Sequence, residues 1–153
     1  MAIEYSLKLS GAISKANIRD LLLGELPSLE KDEKSAGQAI IFALNSKLLR
    51  ITAIRSESRF PDLLGGDGAT NMTIMFRVRD KDRINEAFTL VLTCVGGFVQ
   101  HTNNDLVLLF NGDAPILFRS AGRVVLNADK ELGFWDVPGR VEAIGVPHQM
   151  AFL

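Results

Sequence analysis

The sequence predicts an α+β protein, with a mostly antiparallel sheet built from two βαββ units and two helices on one face. Several stretches alternate apolar and polar residues with a period of two, which is typical of strands that bury one face. Two longer stretches carry apolar residues at helical spacing. The order strand, helix, strand, turn, strand then occurs twice, in residues 1–57 and again in residues 71–127.

The first half begins with an alternating strand over residues 3–10. Ser14 offers a capping hydroxyl for a helix whose apolar residues run from Ile18 to Leu26. Ala39–Leu44 is nearly all apolar, which favours a central strand that is covered on both faces. The triplet Asn45-Ser46-Lys47 predicts a turn into a return strand.

The second half repeats this plan with an alternating strand over residues 72–79. Asp80 or Asp82 is expected to cap a helix with one apolar stripe, and Gly96-Gly97 is expected to end that helix. Leu106–Phe110 predicts a second strand that is apolar on both faces. The Asn111-Gly112 pair that follows is a strong hairpin signal.

The chain of 153 residues has the length of one domain, and we expect 1–153 to form a single α+β domain. One βαββ unit leaves half of its sheet and one helix face uncovered, so two units must pack together to close a core. The C-terminal residues 128–153 are broken by glycine and proline, and we expect them to strap one edge of the sheet. Phe134 and Trp135 are expected to be buried there as edge cover.

Composition favours a cytoplasmic protein, and we expect a monomer or a weak homodimer. The formal net charge is −1 with acids and bases interleaved, so no overall field would collect nucleic acid or an anionic membrane. A single cysteine excludes an intrachain disulfide, as is normal in a reducing compartment. No apolar stretch is long enough to span a bilayer, and residues 1–4 do not resemble a signal peptide.

The sequence offers no reaction centre, so we expect neither an enzyme nor a bound cofactor or metal. Cys94 lies in a predicted apolar helix, where a buried thiol is inert, and its pairing with His101 would depend on how the helix ends. His101 and His148 lack the spacing of metal ligands. The glycine-rich run at 65–68 precedes a strand and carries no following lysine, unlike a phosphate-binding loop.

Charged residues give no nucleic-acid platform either. Arg77, Arg79 and Arg83 could form a small basic stripe, but Asp80 and Asp82 lie among them. With one Trp and one Tyr, the chain has no interleaved aromatic and basic surface.

The second half carries a family resemblance. Asp105–Asp113, Leu117-Phe118-Arg119, Gly122–Asn127 and Phe134-Trp135 resemble the pattern of a Sit-type immunity family. The opening strand and Phe76-Arg77-Val78 are similar to the same family, whereas residues 28–68 match it weakly. Its members are small bacterial proteins encoded beside secreted toxins that are delivered by cell contact.

The resemblance implies an immunity protein that binds a cognate toxin domain in the cytosol and blocks its active site or its access to substrate. The resemblance assigns no catalytic role to any residue of this sequence. Many such toxins are basic nucleases, which an acidic patch would meet fast and tightly. The acidic candidates for the toxin interface lie in two loops: Glu30, Asp32, Glu33, Asp62 and Asp67.

Two other readings remain open at this stage. Paired βαββ units can enclose a cleft, so a small-molecule binding module is the main alternative, and it predicts an apolar pocket with convergent polar groups. An enzyme with a dispersed site would require strongly perturbed titratable groups gathered in one cleft.

Overall fold

The computed structural model describes residues 2–10, 13–31, 40–55, 70–129 and 133–151. It confirms the α+β class, with a nine-stranded, mostly antiparallel open sheet and three helices in that part of the chain. Single turns of 3₁₀ helix precede α2 and α3. The elements in chain order are β1 (Glu4–Ser10), α1 (Lys15–Glu25), β2 (Glu30–Lys31), β3 (Ile40–Asn45), β4 (Leu49–Ile54), β5 (Thr70–Val78), α2 (Ile84–His101), β6 (Leu106–Phe110), β7 (Ala114–Ser120), β8 (Arg123–Asn127), α3 (Arg140–Ile144) and β9 (Gln149–Ala151).

The strands form one sheet in the order β2-β3-β4-β5-β1-β6-β7-β8-β9. Neighbours are antiparallel except for β8 and β9, which are parallel. β1 pairs with β5 on one side and with β6 on the other, so a strand of the first half lies between two strands of the second. Because the halves interleave in this way, the division into two βαββ units stays a prediction.

The helices pack on one face of the sheet, where they cover the main core. α1 begins as the sequence predicts, because the Ser14 Oγ accepts a hydrogen bond from the Asn17 amide at 3.1 Å. Ile18 and Leu22 are fully buried on the inner side of α1. At the centre of the sheet, Leu7 lies opposite Ile74 and Leu108, and all three are fully buried. Each such side chain contributes roughly 1.5–3 kcal/mol by leaving water.

The prediction that Gly96-Gly97 ends the second helix is wrong, because α2 continues to His101. A Cβ on Gly96 would overlap the Ile144 carbonyl oxygen of α3, and one on Gly97 would lie 2.8 Å from the Glu25 carboxylate of α1. The two glycines therefore allow both neighbouring helices to approach α2 closely. Tertiary packing offsets the conformational cost of glycine inside a helix.

The hairpin and strand predictions have mixed outcomes. Asn111 and Gly112 adopt φ values of 48° and 85° between β6 and β7, as a tight turn requires. β6 is buried on both faces, as predicted. The central position predicted for Ala39–Leu44 is wrong, because β3 lies beside the edge strand β2. The predicted cover on both faces is confirmed, because the adjacent residues Phe42 and Ala43 of β3 are both buried.

Residues after β8 return to the sheet edge. Phe134 and Trp135 are buried, as predicted, and the Trp135 Nε1 donates to the Ile116 carbonyl at 2.9 Å. The Arg140 guanidinium lies over the rings of Phe88 and Phe134, at 4.5 and 4.6 Å from their centroids. This aromatic cluster joins the tail to the helix face, and β9 then adds a parallel strand to β8.

Candidate functional site

The two groups that could form a catalytic dyad are in different environments. Cys94 lies within α2 and is 1% exposed, whereas His101 is the last residue of α2 and is exposed. Burial, together with the nearby Glu25 carboxylate, raises the pKa of the Cys94 thiol to about 12. The thiol is therefore held in its protonated, unreactive form.

Cys94 is expected to resist thiol reagents in the folded protein. At pH 8, native protein should react with a disulfide reagent at least about 100-fold more slowly than protein in denaturant, because thiolate forms only when the core opens. The time course of absorbance after reagent addition measures this. Rapid labelling of native protein, with the thermal unfolding transition intact, would show that the thiol is accessible and reactive.

The described part of the chain gathers no metal-ligand set. No group of three His, Cys, Asp or Glu side chains lies close enough there to hold a metal ion. The cleft expected for a small-molecule module between two sheets has no counterpart either, because all nine described strands belong to one sheet. Concave surface occurs instead in grooves at the two ends of the helices.

Of the acidic residues predicted for the toxin interface, the structure places Glu30. It is exposed on the edge strand β2, where it pairs with Asn45 of β3. The other four fall outside the described residues: Asp32, Glu33, Asp62 and Asp67.

Glu30 lines a groove that we name the turn groove, which lies between the β3–β4 turn and the beginning of α2. Its volume is about 730 Å³. Among the described residues, three cationic side chains and one carboxylate line it, together with apolar side chains. The principal lining residues are Glu30, Lys47, Leu48, Arg79, Arg83 and Leu90.

Arg79 is fixed in place by the turn. Its Nη1 donates to the Ser46 carbonyl at 3.0 Å, and its amide donates to the Leu48 carbonyl at 2.8 Å. The Ser46 hydroxyl in turn accepts from the amides of Leu48 and Leu49 at 3.3 and 3.1 Å. The guanidinium is thus held by a turn that stabilises itself through local hydrogen bonds.

The three arginines considered as a possible basic stripe have different partners. Arg77 forms an ion pair with Glu4, with its Nε at 2.8 Å from Oε1. Arg83 binds Glu86 through two hydrogen bonds, and these raise the pKa of Arg83 and lower that of Glu86. Among the described residues, Arg77 and Arg83 each pair with a carboxylate, whereas the Arg79 guanidinium donates to a backbone carbonyl.

A second groove of about 720 Å³ lies between α1 and the C-terminal end of α2. Polar side chains dominate its lining, and two of them are carboxylates, Asp20 and Glu25. His101 and Thr102 line its other side. The two grooves therefore differ in charge, one with an excess of cations and the other with an excess of carboxylates.

Comparison with protein families matches residues 3–136 to a family described as SitI3-like. The chain belongs to the SitI3-like family. The match covers the strands β1 to β8, the helices α1 and α2 and the buried pair Phe134-Trp135. It confirms the Sit-type resemblance that the second half of the sequence indicates.

Comparison of this SitI3-like chain with curated proteins and with solved structures gives no match. None of its described helices is long and apolar enough to cross a membrane.

Sequence reasoning did not identify the turn groove. The predicted turn at Asn45-Ser46-Lys47 could have indicated one side of this groove, because these residues line it. Arg79 follows β5, 33 residues after Ser46, and a single sequence gives no information on that contact. The pairing of β4 with β5 brings the two together, since Leu49 lies opposite Val78.

Proposed function

We propose that this SitI3-like protein is an immunity protein that binds and neutralises a cognate secreted toxin domain in the cytosol. The family match over residues 3–136 carries the proposal, since the Sit-type family is one of immunity proteins. Inhibition would be non-enzymatic, by blocking the toxin's active site or its access to substrate.

The physical features of the described residues support binding over catalysis. The only cysteine is buried and protonated, and exposed charged groups lie on strands, turns and helices. A stable inhibitor complex buries roughly 800 Å² on each partner. The two charged grooves at the ends of the helices offer concave surface for such a contact.

Co-expression tests this function directly. The toxin domain encoded by the adjacent reading frame should arrest growth when it is produced in a foreign bacterial cytosol. Production of this chain in the same cells should restore growth, and it should fail to protect against an unrelated toxin domain. Continued growth arrest in cells that contain folded chain would contradict the immunity function.

We further propose that the acidic set contributes to the toxin interface: Glu30, Asp32, Glu33, Asp62 and Asp67. Replacing all five with lysine should weaken toxin binding at least about tenfold, because favourable charge pairs become repulsive. The dependence of affinity on salt should also become weaker or change sign. Titration calorimetry at two salt concentrations measures both effects, and unchanged values for the variant would remove these residues from the interface.

A further inference from the structure

The described lining of the turn groove has more cations than carboxylates. Lys47, Arg79 and Arg83 line it, and among the described residues Glu30 is the one carboxylate beside them. Arg83 is already neutralised by Glu86, with which it forms two hydrogen bonds. Lys47 and Arg79 form no ion pair with a described residue, and Glu30 offsets one of their two charges, so the described lining keeps one net positive charge.

The Arg79 guanidinium is ordered before any partner arrives. One of its five N–H groups donates to the Ser46 carbonyl, and none of the other four donates to a side chain or carbonyl in the described part of the chain. A fixed guanidinium loses little conformational entropy on binding, and its planar fork matches both oxygens of a carboxylate. Its side chain is exposed, as is that of Lys47.

The remaining surface of the turn groove fits a protein partner. Leu48 and the half-buried Leu90 supply apolar lining beside the cations. Arginine next to apolar surface is a frequent hot spot in protein interfaces. Nucleic acid would favour a longer track of cations with aromatic rings for stacking, and no aromatic side chain lines this groove in the described residues.

We infer that the turn groove binds an acidic segment of the toxin, with Arg79 and Lys47 on either side of its carboxylates. This inference rests on the proposed immunity function and adds the chemistry of the partner. Glu30, which lines the same groove, would meet a base next to that acidic segment, so the toxin surface would carry adjacent opposite charges. Such alternation fixes the register of a complex and rejects toxins with a different charge pattern.

Charge reversal tests the inference with the full chain and the purified toxin domain from the adjacent reading frame. Arg79→Glu and Lys47→Glu should each raise the Kd of the toxin complex by about 10- to 100-fold, as expected for the loss of a charge-assisted hydrogen bond. Arg79→Lys keeps the charge without the planar fork and should give an intermediate value. Arg123→Glu is the matched control, because Arg123 is exposed on β8 outside the groove, and it should change Kd less than about threefold.

Thermal unfolding should show that every variant keeps its fold. Wild-type affinity for Arg79→Glu, or an equal loss of affinity for Arg123→Glu, would overturn the proposal that the turn groove binds the toxin. The proposed immunity function would remain in place. If the wild-type chain itself does not bind the toxin domain, both proposals fail. An oligonucleotide that binds the wild-type chain and not Arg79→Glu, with an affinity similar to that of the toxin, would overturn the choice of a protein partner.

Discussion

Replacing Gly96 with alanine is expected to lower the free energy of unfolding by about 3 kcal/mol, the upper part of the range for overpacking. The new methyl group would overlap the carbonyl oxygen of Ile144, which is backbone and cannot rotate away. α2 and α3 would have to separate, and α3 holds the buried Ile144 against the core. Urea unfolding followed by circular dichroism measures the change.

Gly24→Ala is the matched control for this substitution. Gly24 also lies in a helix, but nothing lies within 4 Å of the position of its Cβ. Alanine there should stabilise the protein by roughly 0.5–1 kcal/mol, because it has less conformational entropy to lose on folding. An equal increase in the free energy of unfolding for Gly96→Ala and Gly24→Ala would show that α3 does not pack against α2 at Gly96.

Replacing Arg119 with methionine should cost about 3 kcal/mol of stability, because buried acceptors would lose a charged donor. Arg119 is 5% exposed and lies beneath the end of α2. Its Nη1 donates to the Val99 carbonyl at 2.6 Å, and its Nε donates to the Asn104 carbonyl at 2.9 Å. A third bond joins Nη2 to the Thr102 hydroxyl at 3.0 Å. Val99 is in the last turn of α2, whose carbonyls have no partner within the helix.

Arg123→Met tests whether the loss is specific to the buried site. Arg123 is also an arginine on a neighbouring strand, but it is exposed, so its replacement should change stability by less than about 0.5 kcal/mol. Burial lowers the pKa of the Arg119 guanidinium, which Asp105 partly opposes. A small effect for Arg119→Met would mean that water replaces the guanidinium at the end of α2.

Much of the local structure could be predicted because local signals specify it. The Ser14 cap, the alternating strand β1 and the Asn111-Gly112 turn each depend on residues within one or two turns of chain. The burial of Trp135 also follows from the local sequence, since an aromatic ring in a tail broken by glycine and proline is expected to pack over a sheet edge.

Features that depend on distant partners could not be predicted. Gly96-Gly97 has the composition of a helix stop. The continuous helix is favourable because α1 and α3, both distant in sequence, pack against it at these glycines. The apolar run that ends at Leu44 specifies a strand that is buried on both faces but not its position in the sheet order. The turn groove is hidden for the same reason, because Ser46 and Arg79 meet only when β4 pairs with β5.

We propose that this SitI3-like protein acts by binding a toxin and not by catalysing its inactivation. Titration of increasing amounts of chain into a fixed amount of toxin domain, with residual toxin activity as the readout, tests it most directly. An inhibitor should remove activity in proportion to its concentration and reach completion at one chain per toxin. Complete inactivation by a small fraction of one equivalent, increasing with incubation time, would mean that the chain is a catalyst.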